Sequence, residues 1–224
     1  MDAVPDWRSA FPLQSAADAC DALLQGWQEL ATLGSPEFNP RTQEPRLTKR
    51  LKIYVEKYVA YDRGLLGMWA AEAVIGDIDR RTAKLLDERR TDIVYGWNDA
   101  SRKFELVFEF KRLRKGKTYR DRYLGDEGLT RFVTGTYSRR QSIAAMVGIL
   151  LGPKASIVPP IQTALCNPAV GNRLRLRKDA GGLPYTHPSS LFSQATFDTE
   201  HDRDPALAPP HGFIRVAHIF VTFS

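Results

Sequence analysis

The stretch FELVFEFKRL, residues 104–113, alternates with the two-residue period of a β-strand. Phe104, Leu106, Phe108 and Phe110 fall on one face, and Glu105, Val107, Glu109 and Lys111 on the other. Upstream, DIVYGW (92–97) is a second strand-like run, and the separator NDASRK (98–103) is rich in turn formers, which predicts a hairpin. A turn about the Ala100–Ser101 bond sets Trp97 against Phe104, Tyr95 against Leu106 and Ile93 against Phe108, an entirely apolar or aromatic face. A slip of one residue would destroy that face, so this register is preferred. On the opposite face it sets Gly96 against Glu105, Val94 against Val107 and Asp92 against Glu109, with Lys111 two residues further along. Opposed carboxylates start about 5 Å apart at Cβ and repel unless a proton or a cation lies between them. A hard divalent cation, most simply Mg²⁺, answers that repulsion with oxygen ligands and retained water. It would stabilise charge on a phosphate and acidify a bound water. Lys111 is then placed to orient or deprotonate that water, or to neutralise developing charge.

Working outward, residues 15–33 predict an amphipathic helix, with Cys20, Leu23, Leu24, Trp27, Leu30 and Ala31 at helical spacing, Ser15 with Asp18 as its cap and Gly34 as its stop. GSPEFNPRTQEP (34–45) breaks the pattern with three prolines and closes an N-terminal helical extension, residues 1–40. A helix over 45–59 follows, with Leu47, Leu51, Tyr54, Val55 and Tyr58 as its stripe. LLGMWAAEAVIG (65–76) reads as strand or helix, and RTAKLLDERR (81–90) as a short helix. After the hairpin, 126–137 reads as helical with Leu129, Phe132 and Val133 inward, and 142–151 as a buried strand. A helix is expected to start at Pro159–Pro160, RLRLRK (173–178) reads as an edge strand, 179–212 as loop-rich, and FIRVAHIFVTF (213–223) as a closing buried strand. The fold class is α/β or α+β, one sheet flanked by helices, occupying residues 41–224.

Asp92, a strand, and then Glu109-Phe110-Lys111 resembles the signature of the PD-(D/E)xK, or restriction-endonuclease-like, nuclease superfamily. The order of elements from about residue 45 to 151 is similar to that family's core. The resemblance implies an α/β fold with a mixed central sheet flanked by helices, an N-terminal helical extension and a C-terminal elaboration. It implies that Asp92 and Glu109 hold Mg²⁺ or Mn²⁺ and that Lys111 acts on the attacking water. The residue before Asp92 is Thr91 rather than proline, a departure the family tolerates. Many members add a glutamate on the first core helix; Glu44 lies on the core-facing stripe at the helix start, where a charge favoured by the helix dipole is the competing explanation. Glu56, four residues after Lys52, is better explained as a surface ion pair. The implied function is metal-dependent hydrolysis of phosphodiesters in nucleic acid, DNA ahead of RNA, of the kind used in restriction, repair or antiviral defence. The alternative is a nuclease-like fold without catalysis, serving as a nucleic-acid-binding or assembly subunit.

Composition agrees with a polyanionic partner: the net charge is +6 and the isoelectric point about 9.4. KRLRKGKTYRDR (111–122) carries seven Lys or Arg among twelve residues. Arg112, Arg114, Lys115, Lys117 and Arg120 are therefore candidates to grip phosphates beside the site, with a solvated loop as the alternative. Arg131, on the next expected helix, is a candidate to point back at the site. Arg173, Arg175 and Arg177 form either a second phosphate track or a charge-protected edge. His187, His201, His211 and His218 have no paired metal-ligand spacing, no nucleophile elbow accompanies them, and His218 in its apolar strand reads as a satisfied core histidine. Cys20 and Cys166 read as two buried thiols in a reducing cytosol. The start, MDAVPDWRSAFPLQ, lacks the pattern of a secretory leader, and no apolar run has the length of a membrane span, so a cytoplasmic protein is expected. A homodimer or association with partner subunits is compatible with all of this.

Overall fold

The computed structural model describes residues 13–98 and 103–223; the expected turn at Ala100–Ser101 lies outside them. The architecture is α/β: a six-stranded mixed sheet in the order β1-β2-β3-β4-β6-β5, flanked by helices. The strands are β1 Met68–Ile78, β2 Leu85–Asn98, β3 Lys103–Leu113, β4 Ile143–Leu150, β5 Phe197–Asp202 and β6 Phe213–Thr222. The first three form an antiparallel meander, β3, β4 and β6 run parallel, and β5 returns antiparallel. No helix among the described residues is long and apolar enough to cross a membrane.

Residues of the expected hairpin pair as the apolar face demands, from Asn98–Lys103 through Trp97–Phe104 and Tyr95–Leu106 to Ile93–Phe108. Phe104, Leu106, Phe108 and Phe110 thereby enter one core with Ile93, Tyr95, Ala145, Val147 and Ile219. Helix α1 (Leu13–Thr32) and helix α2 (Glu44–Tyr54) cover that face. Helix α2 continues through a π-helical turn, Val55–Val59, and a last turn, Ala60–Asp62. Trp27 of α1 is bound into the sheet, donating from Nε1 to the Thr222 carbonyl at 2.8 Å and stacking on Phe110 at 6.4 Å. The proline-rich loop contributes Phe38, which packs edge-on against Trp27. The opposite face is covered by helices α3 (Lys117–Leu124), α4 (Thr130–Val133) and α5 (Lys154–Leu165), with α6 (Pro168–Arg173) following. Leu129, Phe132 and Val133 point inward as expected, and β4 is buried throughout at the centre of the sheet.

Several local expectations are corrected. Helix α1 already runs at Leu13, so Ser15 lies inside it and caps nothing, whereas Gly34 does end it at φ +62°. LLGMWAAEAVIG resolves as strand, and the expected helix over 81–90 is a turn followed by β2, because residues 85–91 pair with β1. The second half of the basic run coils into α3, and the helix expected over 126–137 shrinks to α4. Pro159 and Pro160 lie inside α5, which starts at Lys154. RLRLRK is no strand: Arg173 ends α6, Arg175 has φ +48°, and only Leu176 bridges to His201. Arg177 instead neighbours Glu200 and Asp202 and covers the Phe213 ring, so the three arginines form no track. Strand β5 emerges from the loop-rich segment. Cys20 is buried but Cys166 is exposed.

Candidate active site

β2 and β3 part company after the Ile93–Phe108 pair: β2 runs on with β1 alone, as in Ala73–Thr91 and Val74–Arg90, and a fork opens. Along the open edge of β3, backbone donors that would have met a strand are satisfied by acids instead. Asp92 Oδ2 accepts from Phe110 N at 2.8 Å, and Glu44 Oε2 accepts from Arg112 N at 2.8 Å. Glu44 reaches the edge from the first residue of α2, where Pro45 pre-sets the helical turn. The ladder thus stops one pair short of the expected Asp92–Glu109 partnership, yet the two carboxyls stay close enough for the Asp92 charge to act on Glu109. Lys111 completes the cluster: Nζ donates to Glu109 Oε1 at 2.8 Å, to the Phe110 carbonyl at 2.7 Å and to Glu44 Oε1 at 3.4 Å. Glu56, by contrast, pairs on the surface with Lys52 at 2.6 Å.

Three carboxyls share one ammonium in a poorly solvated place. Burial pushes the Glu109 carboxyl up to about 8, the Asp92 charge adds to that, and Lys111 only partly opposes it. Burial likewise raises Asp92 and Glu44 against the pull of Lys111. Burial works against the Lys111 ammonium, but the charges of Glu109, Glu44 and Asp92 outweigh it and hold Lys111 protonated. The Lys111 ammonium collects attraction from all three acids, while the acids must share Lys111, with Arg131 helping only Asp92 and Glu109. Burial and mutual repulsion thus favour a proton on the Asp92–Glu109 pair, which titrates as a unit. Glu109 is 1% exposed, and its Oε2 has no hydrogen-bond partner among the described residues. A buried carboxylate oxygen without a partner costs about 1–3 kcal/mol or more.

Arg131, expected to point back at the site, and Tyr137, which the linear pattern does not reveal, frame this cluster. Arg131 of α4 donates from Nη1 to Glu109 Oε1 at 3.4 Å and also to the Tyr137 hydroxyl; Tyr137 in turn donates to the Arg90 carbonyl of β2. Arg131 and Tyr137 therefore tie Glu109 on β3 to β2 across the fork. The loop bearing them is gripped by Arg203, which donates from Nε and Nη2 to the Phe132 carbonyl, from Nη1 to Ser138 at 2.7 Å and from Nη2 to Tyr137 at 2.9 Å. Arg203 is 5% exposed and donates here to backbone carbonyls; burial pulls it down to about 9, and the nearby Arg89 charge adds to that.

Not every expected phosphate contact gathers here. Arg112 and Arg114 line a 360 Å³ cleft that opens beside Lys111 and Glu44, joined by Arg122. Lys117 pairs with Asp121 at 2.8 Å, and Arg120 lies 3.7 Å from the same carboxylate, so these two face elsewhere; Lys115 is exposed in the loop before α3. No family model, no curated protein and no solved structure matches this chain.

The histidines stand apart from the cluster. His218 takes Tyr123 Oη at 2.9 Å on Nδ1 and Thr199 Oγ1 at 2.9 Å on Nε2, as a satisfied core histidine should. The same Thr199 hydroxyl meets His201 Nε2 at 2.7 Å, and His201 Nδ1 meets the Leu174 carbonyl at 2.7 Å. A carbonyl can only accept, which fixes every proton in the chain. His201 Nδ1–H donates to Leu174, Thr199 O–H donates to His201 Nε2, His218 Nε2–H donates to Thr199, and Tyr123 O–H donates to His218 Nδ1. His187 Nδ1 contacts the Thr196 carbonyl at 2.7 Å, and His211 Nε2 contacts Ser142 Oγ at 2.9 Å.

Proposed function

We propose that this protein is a metal-dependent nuclease with a restriction-endonuclease-like core, hydrolysing phosphodiesters in nucleic acid and taking DNA ahead of RNA. The observation that carries this reading is the fork, where Asp92 and Glu109 meet around an orphaned carboxylate oxygen with Lys111 against them. Among the described residues no three His, Cys, Asp or Glu side chains form a ligand cluster, and Glu44 is already occupied by Arg112 N and Lys111. Two carboxylates still suit Mg²⁺ or Mn²⁺, which complete their octahedra with water and substrate phosphate. Asp92 and Glu109 would hold the ion, which when bound supplies charge stabilisation at the phosphate and an acidified water.

The protein's own groups divide the remaining work. Lys111, held protonated by Glu109 and Glu44, keeps its ammonium within reach of the scissile phosphate, donating to its oxygens and orienting water. Glu44 holds the Lys111 head and the Arg112 backbone, so it positions rather than ligates. Arg131 offers a second cation beside Glu109. Arg112 and Arg114 in the adjoining cleft take flanking phosphates. A restriction, repair or antiviral-defence role suits such an enzyme.

The alternative reading, a nucleic-acid-binding or assembly subunit without catalysis, is favoured by one observation: Lys111 already neutralises the acids as a built-in cation. Incubating the purified protein with supercoiled and linear DNA and with RNA, with Mg²⁺, Mn²⁺ or EDTA, separates the two. Cleavage that needs the ion and disappears in Glu109→Gln supports the nuclease; binding without cleavage under every condition supports the alternative.

A further inference from the structure

The cleft beside Lys111 has features that phosphate binding alone leaves unused. It sits at the carboxyl ends of the parallel strands β3 and β4, bounded by Leu151 just after β4, by Arg114 just after β3, and by α3. Ligands in open α/β sheets gather outside the carboxyl ends of parallel strands, because the loops there are free to shape a site. Tyr119 and Arg122, three residues apart on α3, both line it. Tyr119 is half-buried, its ring packed against the core under α3, so it presents a fixed aromatic wall. Arg122 is held only loosely, 3.8 Å from Glu127, with both side chains about 60% exposed (60% and 63%), a pair that a phosphate can replace. Gly116, at φ +135° between Arg114 and α3, makes the sharp turn that lets the loop cation and the helix share one wall.

Building on the nuclease reading, we propose that this cleft binds one unpaired nucleotide next to the bond that is cut. Its base lies against Tyr119 and its phosphate between Arg114 and Arg122. The argument for an unpaired nucleotide is geometric. A volume of 360 Å³ is at the small end of ligand pockets, which run from about 300 Å³ upward, and it holds a single nucleotide rather than a base pair. An aromatic wall can take a base face only when the base has left its stack, and such stacking accepts any base. The protein would therefore act at single strands, overhangs or frayed ends in preference to continuous duplex.

The test needs no turnover. Labelled oligonucleotides, one single-stranded, one blunt duplex and one duplex with a single-stranded overhang, are titrated with the full chain in EDTA and followed by fluorescence anisotropy. The single strand and the overhang should bind about ten-fold or more tightly than the blunt duplex, the worth of one stacked base. Tyr119→Leu should lose that preference, and Tyr119→Phe should keep it, which separates ring stacking from any damage to the fold. Arg114→Ala with Arg122→Ala, both exposed, should lower the salt slope of single-strand binding by about 0.7, the share of the one phosphate they hold. Equal affinity for the single strand and the blunt duplex, or a preference unchanged in Tyr119→Leu, overturns the proposal, and so does an absence of binding to all three. The nuclease reading is judged separately, by Mg²⁺-dependent cleavage of the same substrates. Cleavage with no single-strand preference leaves the enzyme standing and removes the cleft.

Discussion

Glu109 and His218 occupy the same row across the sheet, separated only by Met146 on β4. Both are fully buried polar groups, yet their surroundings are opposite. Around His218 each donor finds one acceptor, from the Tyr123 hydroxyl to the Leu174 carbonyl, and the chain closes. Around Glu109 three acids compete for Lys111 and Arg131, and one carboxylate oxygen is left over. A closed network specifies a structure; an open one holds unused binding capacity. Burial acts on the two in opposite directions as well, pushing the histidines towards neutrality, His201 to about 4, and Glu109 up to about 8. The contrast places His201 and His218 in the service of the fold and fits the chemistry proposed for the fork.

The largest expected effect lies at the open end. Lys111→Ala should cut cleavage by about 10² to 10⁴, the usual cost of a lost proton-transfer or orienting group, in a nicking assay. Metal affinity should not weaken, because the ammonium now competes for Glu109. Lys111→Arg should restore little, since a planar guanidinium does not fit between Glu44 and the Phe110 carbonyl. If Lys111→Ala cleaves normally, the open cluster is not the catalytic one.

At the closed end the expected loss is in stability. His218→Leu strands two buried hydroxyls, Tyr123 and Thr199, at about 1–3 kcal/mol each, read from the denaturant midpoint. Glu109→Gln is the counterpart. It mimics the protonated acid, so it should leave stability within about 1 kcal/mol of wild type at pH 7 while removing the charged ligand. Equal destabilisation by both substitutions would erase the distinction between the clusters.

The two ends should also respond oppositely to pH. His201 and His218 have folded pKa values below the unfolded 6.5, so the unfolded chain binds more protons as pH falls. Their contribution is complete above about pH 6.5 and is lost as pH falls below it, down to about pH 4 for His201, at about 1.4 kcal/mol per unit. Glu109 is raised, so the folded state holds the extra proton; its contribution is complete below about pH 4.5 and is lost as pH rises towards 8. Unfolding in denaturant across this range without metal should show wild type rolling off on both sides, with the alkaline limb flattened in Glu109→Gln. A smaller effect is expected at the bridge across the fork. Tyr137→Phe removes the hydroxyl between Arg131 and the Arg90 carbonyl, costing about 1 kcal/mol in stability and roughly ten-fold in cleavage.

The sequence makes the hairpin legible because its signal is local and redundant. The alternating apolar face of β3 has a single good register against Tyr95 and Trp97, and that register carries Asp92 to Glu109. Glu44 is readable from its place at the start of α2. The parts of the site that stay hidden depend on distant contacts. Arg203 holds carbonyls of residues 132, 137 and 138, more than sixty positions away, and its sequence neighbours do not reveal those partners. β5 escapes notice because its buried face carries Phe197, Thr199 and His201, so the apolar alternation is absent. The first half of β2 reads as helix because its charges carry no two-residue period, and pairing with β1 decides the matter. RLRLRK fails in the opposite way: it alternates like a strand, but Arg175 turns left-handed and ends any ladder.

Titration calorimetry of Mn²⁺ into the wild type, Asp92→Asn and Glu109→Gln tests most directly whether the fork between β2 and β3 takes up a cation, as the proposed function requires. The wild type should take up one ion with release of protons at pH 7, because the ligands bind it only when deprotonated. Both variants should lose most of that affinity while unfolding near the wild-type midpoint. Heat and proton release that stay unchanged in both variants, or no uptake by the wild type, would contradict it.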